Sequence, residues 1–220
     1  MRASVYLQIL GAAVLAASLS LTASAQAQDA PAKEATKGLP PRAAPADYQG
    51  QAKVGAFTLA AEFDAHGVST PEAVYSNEDY VMVEVAFYGP ADKPLKLAQS
   101  EFSLRVNGKP AVAEPFARTF GSLKDPSWEP PSSASKAGKT SLGTGGDNQG
   151  DPPPSPPKMP FEMKRSMQQR VQKAELPEGD RMLPVAGLLF FSFRGKAESI
   201  RSLELLYDGA AGKVALPLHP

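Results

Sequence analysis

A forty-residue interruption most limits what this chain can become. Between residues 121 and 160, nine Pro, seven Ser and six Gly supply 22 of the 40 positions. Such a stretch has too little apolar surface to offset the entropy of ordering it. A structureless run of that length does not belong inside a compact core. The patterned segments on either side must therefore share one core around it or build two small ones. Loop-closure entropy grows only logarithmically with length, so looping the insert out of one domain costs little. We expect residues 118–160 to be a disordered insert, and 51–117 plus 178–218 to form a single split domain.

Both flanking segments alternate with period two, the signature of half-buried strands. Phe57, Leu59, Ala61 and Phe63 share one face of the first. In Tyr80–Tyr88 (YVMVEVAFY), Val81, Val83, Val85 and Phe87 share one face, and Glu84 marks the other as the wet side. Leu95 and Leu97 form a short strand, and Phe102, Leu104 and Val106 a longer one. Asn107-Gly108 then gives a strong two-residue hairpin signal. Pro110 confines the return strand to an edge, because it has no N–H for a ladder. Beyond the insert, 187–193 (GLLFFSF) is a continuous apolar run, Leu203, Leu205 and Tyr207 alternate, and Val214, Leu216 and Leu218 close the chain. Short strands separated by turns about every ten residues predict an all-β fold, an immunoglobulin-like antiparallel β-sandwich of about seven to eight strands.

The insert carries one periodic piece. In 161–175 (FEMKRSMQQRVQKAE), Met163, Met167, Val171 and Ala174 recur at helical spacing, with Pro160 before and Pro177 after. This predicts an amphipathic helix. It either covers an end or edge of the sandwich, or docks on a partner or a membrane surface.

The N-terminus reads as an address. Arg2 precedes an uncharged, mostly apolar run from Val5 to Leu21, and Ala23-Ser24-Ala25 and Ala25-Gln26-Ala27 follow as small-x-small sites. Residues 1–27 are expected to be a secretory signal peptide; the alternative is an uncleaved anchor. The protein is then exported, periplasmic or extracellular, and soluble after cleavage. Residues 28–50, rich in Ala, Pro and Lys, are expected to be a disordered tether.

Composition removes several chemistries. The chain has no Cys, which excludes disulfides, thiolate metal sites and Cys nucleophiles. With two His, His66 and His219, a three-histidine metal site is excluded too. Lys+Arg and Asp+Glu both number 23, so the formal charge is zero. No electrostatic basis exists for nucleic-acid binding.

Several runs of these strands resemble a known family. They are Val54-Gly55-x-Phe57-x-Leu59, Tyr80-Val81-x-Val83-x-Val85-x-Phe87, Asp92-Lys93-Pro94-Leu95 and Phe102-x-Leu104. Leu176-Pro177, 187–191 and Leu203-x-Leu205-x-Tyr207 complete the pattern. Together they resemble the secreted bacterial immunoglobulin-like domains of the immunoprotective-antigen type. Members usually carry Asn-x-Gly after the second long strand, where this chain reads Tyr88-Gly89-Pro90. The resemblance covers about half the chain. It implies a fold and an exported location, and it brings no functional residues.

Chemical motifs mostly fail. Ala137-Gly138-Lys139-Thr140 imitates the end of a phosphate loop, but the first glycine position is Ser133. Asp147-Asn148-Gln149-Gly150-Asp151 imitates a calcium loop, yet Pro152 stands at position six and Lys158 at position twelve. His66 sits in a turn near Asp64, and no Gly-x-Ser-x-Gly exists to supply a nucleophile. Glu62/Asp64 and Glu78-Asp79 read as solvated charge. Pro152 to Pro157 (PPPSPP) reads as a stiff spacer or a ligand for an aromatic groove. We therefore expect no catalytic residue, no cofactor and no metal. The expected function is an exported, non-enzymatic binding or structural module of the cell envelope with a protein partner. Its alternatives are a peripheral membrane or partner-docking role for 161–175 and, further off, an envelope hydrolase built from Glu62, Asp64, Glu84 or His66.

Overall fold

The patterned segments on the two sides of the insert pair with each other in a computed structural model that describes residues 37–128 and 158–220. The signal peptide expected at 1–27, residues 28–36 and residues 129–157 lie outside the described residues. The first half contributes β1 (Gly50–Val54), β2 (Phe57–Ala65), β3 (Gly67–Ser69), β4 (Val74–Asn77), β5 (Tyr80–Tyr88), β6 (Leu95–Leu97), β7 (Phe102–Val106), β8 (Lys109–Glu114), α1 (Phe116–Thr119) and β9 (Leu123–Lys124). The second contributes α2 (Phe161–Ala174), β10 (Gly179–Arg181), β11 (Val185–Ser192), β12 (Leu203–Gly209) and β13 (Gly212–Leu218).

The chain is mostly β. One antiparallel sheet has eight strands in the order β1-β2-β5-β11-β8-β7-β12-β13. β5 pairs β11, with Val85 opposite Gly187 and Val83 opposite Leu189. β7 pairs β12, with Leu104 opposite Leu205. The Asn107-Gly108 turn closes the β7–β8 hairpin with both residues at positive φ, 50° and 81°, as a type I′ turn requires. The sheet curls until its ends meet: a Cβ on Gly50 would lie 3.2 Å from Pro217 O, and one on Gly212 would lie 3.3 Å from Val54. This barrel-like enclosure holds the main core. All four predicted inward residues of β5 are in it, with Leu189, Phe191, Leu205 and Tyr207.

The other face of β5 is not wet. Met82 and Ala86 are fully buried there, so β5 and β11 are covered on both sides. Two-sided burial is also why 187–191 reads as a continuous apolar run. One cover is α2, whose Met167, Val171 and Ala174 pack with Met82, Leu188 and Phe190. Met163, placed on the same stripe by spacing, is 43% exposed. The small sheet β3-β4-β9 adds Val68, Tyr75 and Leu123 to this second core.

The other cover corrects the tether expectation. Residues 37–49 lie against the sheet. Ala60, Ala86 and Ala186 stand side by side on β2, β5 and β11. Their missing bulk makes a trough that receives Tyr48 and Leu39. Gly38 N–H donates to Lys173 O at 2.7 Å and Leu39 N–H to Ala186 O at 2.9 Å. The segment has few large apolar groups, but it spends them all here.

The insert is also shorter than the expected 118–160. Residues 116–124 form α1, a 3-10 turn and β9, which pairs β4 through Ser76↔Lys124 and Asn77↔Leu123. Asn77, buried, anchors this stretch by donating from Nδ2 to Thr119 O at 2.9 Å.

Candidate functional site

The carboxylates named as candidates do not converge on a cavity. Glu62 and Glu84 stand directly opposite each other on β2 and β5, a destabilising placement for like charges. Arg42 resolves it. Its Nη1 donates to Glu62 at 2.5 Å and its Nη2 to Glu84 at 3.1 Å. Its Nη1 also donates to Asp47 O at 2.6 Å, and its guanidinium lies 4.3 Å from the Tyr48 ring centroid. Tyr88 Oη donates to Arg42 O at 2.7 Å. Burial, the largest cause, pushes the Tyr48 phenol above its ordinary value of 10. These groups latch residues 37–49 to the sheet.

His66 is likewise structural in its surroundings. Its Nδ1 lies 2.8 Å from the carbonyls of Asn77 and Tyr80, and its Nε2 2.8 Å from that of Gly195. Among the described residues, no carboxylate or hydroxyl hydrogen-bonds to the ring. Glu78 pairs with Lys124, and Asp79 with Arg194 at 3.3 Å. His219 accepts from Gln49 through its backbone carbonyl at 2.7 Å. Among the described residues, no three His, Asp or Glu side chains gather as a metal site would need. The phosphate-loop and calcium-loop look-alikes and PPPSPP lie in 133–158, almost wholly outside the described residues.

A groove of about 630 Å3 lies where the two described ends of the insert come together. One wall is 123–128. There Asp125 turns the chain, with its Oδ1 accepting from Ser127 N–H at 2.9 Å and its carbonyl from Trp128 N–H at 3.1 Å. That turn aims Trp128 into the groove. The other wall is 158–167, where Lys158 and Met159 lead into the first turns of α2. Buried Leu123 and Met167 make the floor. Phe161, 72% exposed, stands at the lip. Three lysines, Lys124, Lys158 and Lys164, face one acid, Asp125. Lys124 is held by Glu78 and Asp125 by Ser127. Lys158 and Lys164 make no ion pair among the described residues, given the observed bridges.

This arrangement has an apolar floor, an aromatic wall and a cationic rim. Neither histidine lines it, and its one carboxylate, Asp125, is engaged by Ser127. Its chemistry is that of holding an apolar group with a negative end. The spacing of α2 signalled the Met167 face, and the only tryptophan in a Ser- and Pro-rich stretch was an available signal for the other wall. Nothing in the sequence showed that the two walls meet. Comparison with protein families, with curated proteins and with solved structures finds no match for the chain.

Proposed function

We propose that this chain is an exported, non-enzymatic binding module, and that the groove between 123–128 and the start of α2 holds an amphipathic anionic group. The observation that carries the reading is the groove itself: an apolar, aromatic-walled concavity rimmed by Lys124, Lys158 and Lys164. Its volume is within the roughly 300–1,000 Å3 of small-molecule sites. Export rests on the charged start, apolar run and Ala-x-Ala sites of residues 1–27. The accompanying fold reading is immunoglobulin-like. It rests on the short antiparallel strands and on the core that the two halves share across the insert.

Trp128 is the sole tryptophan and lies in the groove, so it reports occupancy directly. Dodecanoate below its micellar concentration should shift Trp128 emission saturably to the blue, and dodecyltrimethylammonium should not. Lys164→Glu should weaken dodecanoate by about tenfold, equivalent to ~1.4 kcal/mol. An identical response to both amphiphiles, or none to either, sinks the reading.

A second reading is contact with an anionic membrane surface through 161–175. Exposed Phe161 and Met163 beside Lys164 and Arg165 favour it. Flotation with anionic vesicles that is lost in Phe161→Ser would support it, and flotation unchanged by that substitution would remove it.

A further inference from the structure

The position of β8 in the sheet hides an unfinished ladder. β8 pairs β7 from Lys109 to Val112, but it pairs β11 only through Ala113 and Glu114. Extended in register, Val112 would face Ser192 and Ala111 would face Phe193. The strands instead separate around a cleft of about 480 Å3, lined by residues 109–111 on one side and 192–195 on the other. Pro110 accounts for the opening, since it has no N–H to give to β11. The chain of β11 meanwhile follows β5: Ser192 pairs Tyr80, and Phe193 N–H donates to Asp79 O at 2.9 Å.

The far wall is fixed before anything enters. His66 Nε2 lies 2.8 Å from Gly195 O while its Nδ1 is engaged by Asn77 O and Tyr80 O. Arg194 Nε lies 3.3 Å from the Asp79 carboxylate. A wall already ordered reduces the entropic cost of binding. Lys109 and Arg194 line the cleft, and no carboxylate does. Val112, 67% exposed, stands next to it on β8.

We propose that this cleft takes an extended, acidic segment of a partner protein, which adds to the free edge of β8 as a strand. Main-chain hydrogen bonds would come from Val112 N–H and C=O and from Pro110 C=O, the groups that face away from β7, and charge selection from Lys109 and Arg194. A second copy offering the same edge would bring the same cations together, so the chemistry favours an acidic partner over self-association. The site is separate from the Trp128 groove, and neither proposal depends on the other.

The probes are two capped hexapeptides, one alternating valine with glutamate and one alternating valine with lysine, added to the full chain. With the glutamate peptide, amide hydrogen exchange should slow at Val112 and at residues 194 and 195, and Trp128 emission should stay constant. The lysine peptide should bind about tenfold more weakly. Lys109→Glu, on an exposed side chain, should abolish that preference while leaving the thermal transition in place. Slowed exchange elsewhere only, equal binding of the two peptides, or protection of 109–112 that grows with protein concentration in the absence of peptide overturns the proposal.

Discussion

Val85→Asp should abolish the cooperative unfolding transition at ordinary temperature. Val85 is fully buried at the middle of β5, between Ala61 of β2 and Gly187 of β11. It faces the enclosed core with Val83, Phe191 and Leu205. Among the described residues no cationic side chain is buried, so a carboxylate there must stay unpaired or neutralise. Either route costs several kcal/mol, a large part of the roughly 5–15 kcal/mol that holds a domain together. Glu84→Gln, one residue away, should cost about 1 kcal/mol. That is more than a solvated glutamate would, because the Glu84 side chain is only 13% exposed and accepts from Arg42 Nη2 at 3.1 Å. Urea titrations followed by far-ultraviolet circular dichroism give both values. Equal losses would mean that the inward and outward faces of β5 are misassigned.

Gly187→Ala should also be costly, although it adds one methyl group. A Cβ at Gly187 would lie 2.4 Å from Leu176 Cα and 2.6 Å from Leu176 N, both backbone atoms that cannot swing aside. The chain crosses β11 here: Leu176 N–H donates to Leu188 O at 3.0 Å, and Glu175 bridges Leu188. Leu176 itself plugs the main core, so the crossing cannot lift without opening that core. The expected loss is about 2–3 kcal/mol. Gly121→Ala meets nothing within 4 Å and should stay within about 0.5 kcal/mol. Paired thermal melts decide it, and an unchanged midpoint for Gly187→Ala would show that the crossing is looser than described.

Period two in Tyr80–Tyr88 made the enclosed face of β5 legible, and the four-residue spacing of Met167 and Val171 made α2 legible. Both are local patterns imposed by a single core face. The outer face of β5 was harder to read, because its cover comes from residues 37–49 and from α2, distant in sequence. Glu84 looked wet on its own strand; its partner Arg42 lies 42 residues earlier. Ala60, Ala86 and Ala186 carry no sign of a trough until the register sets them side by side. The groove was illegible for the same reason. Its walls, 123–128 and 158–167, are set together by β9 pairing to β4 and by α2 packing on β5 and β11, and neither wall contains a motif.

The binding reading is tested most directly by intermolecular nuclear Overhauser effects between isotope-labelled dodecanoate and the full chain. Contacts are expected from the alkyl chain to the Trp128 indole and the methyl groups of Met159 and Met167, with the carboxylate end near Lys164. Contacts confined to other surfaces, or none at concentrations that alter Trp128 emission, would contradict it.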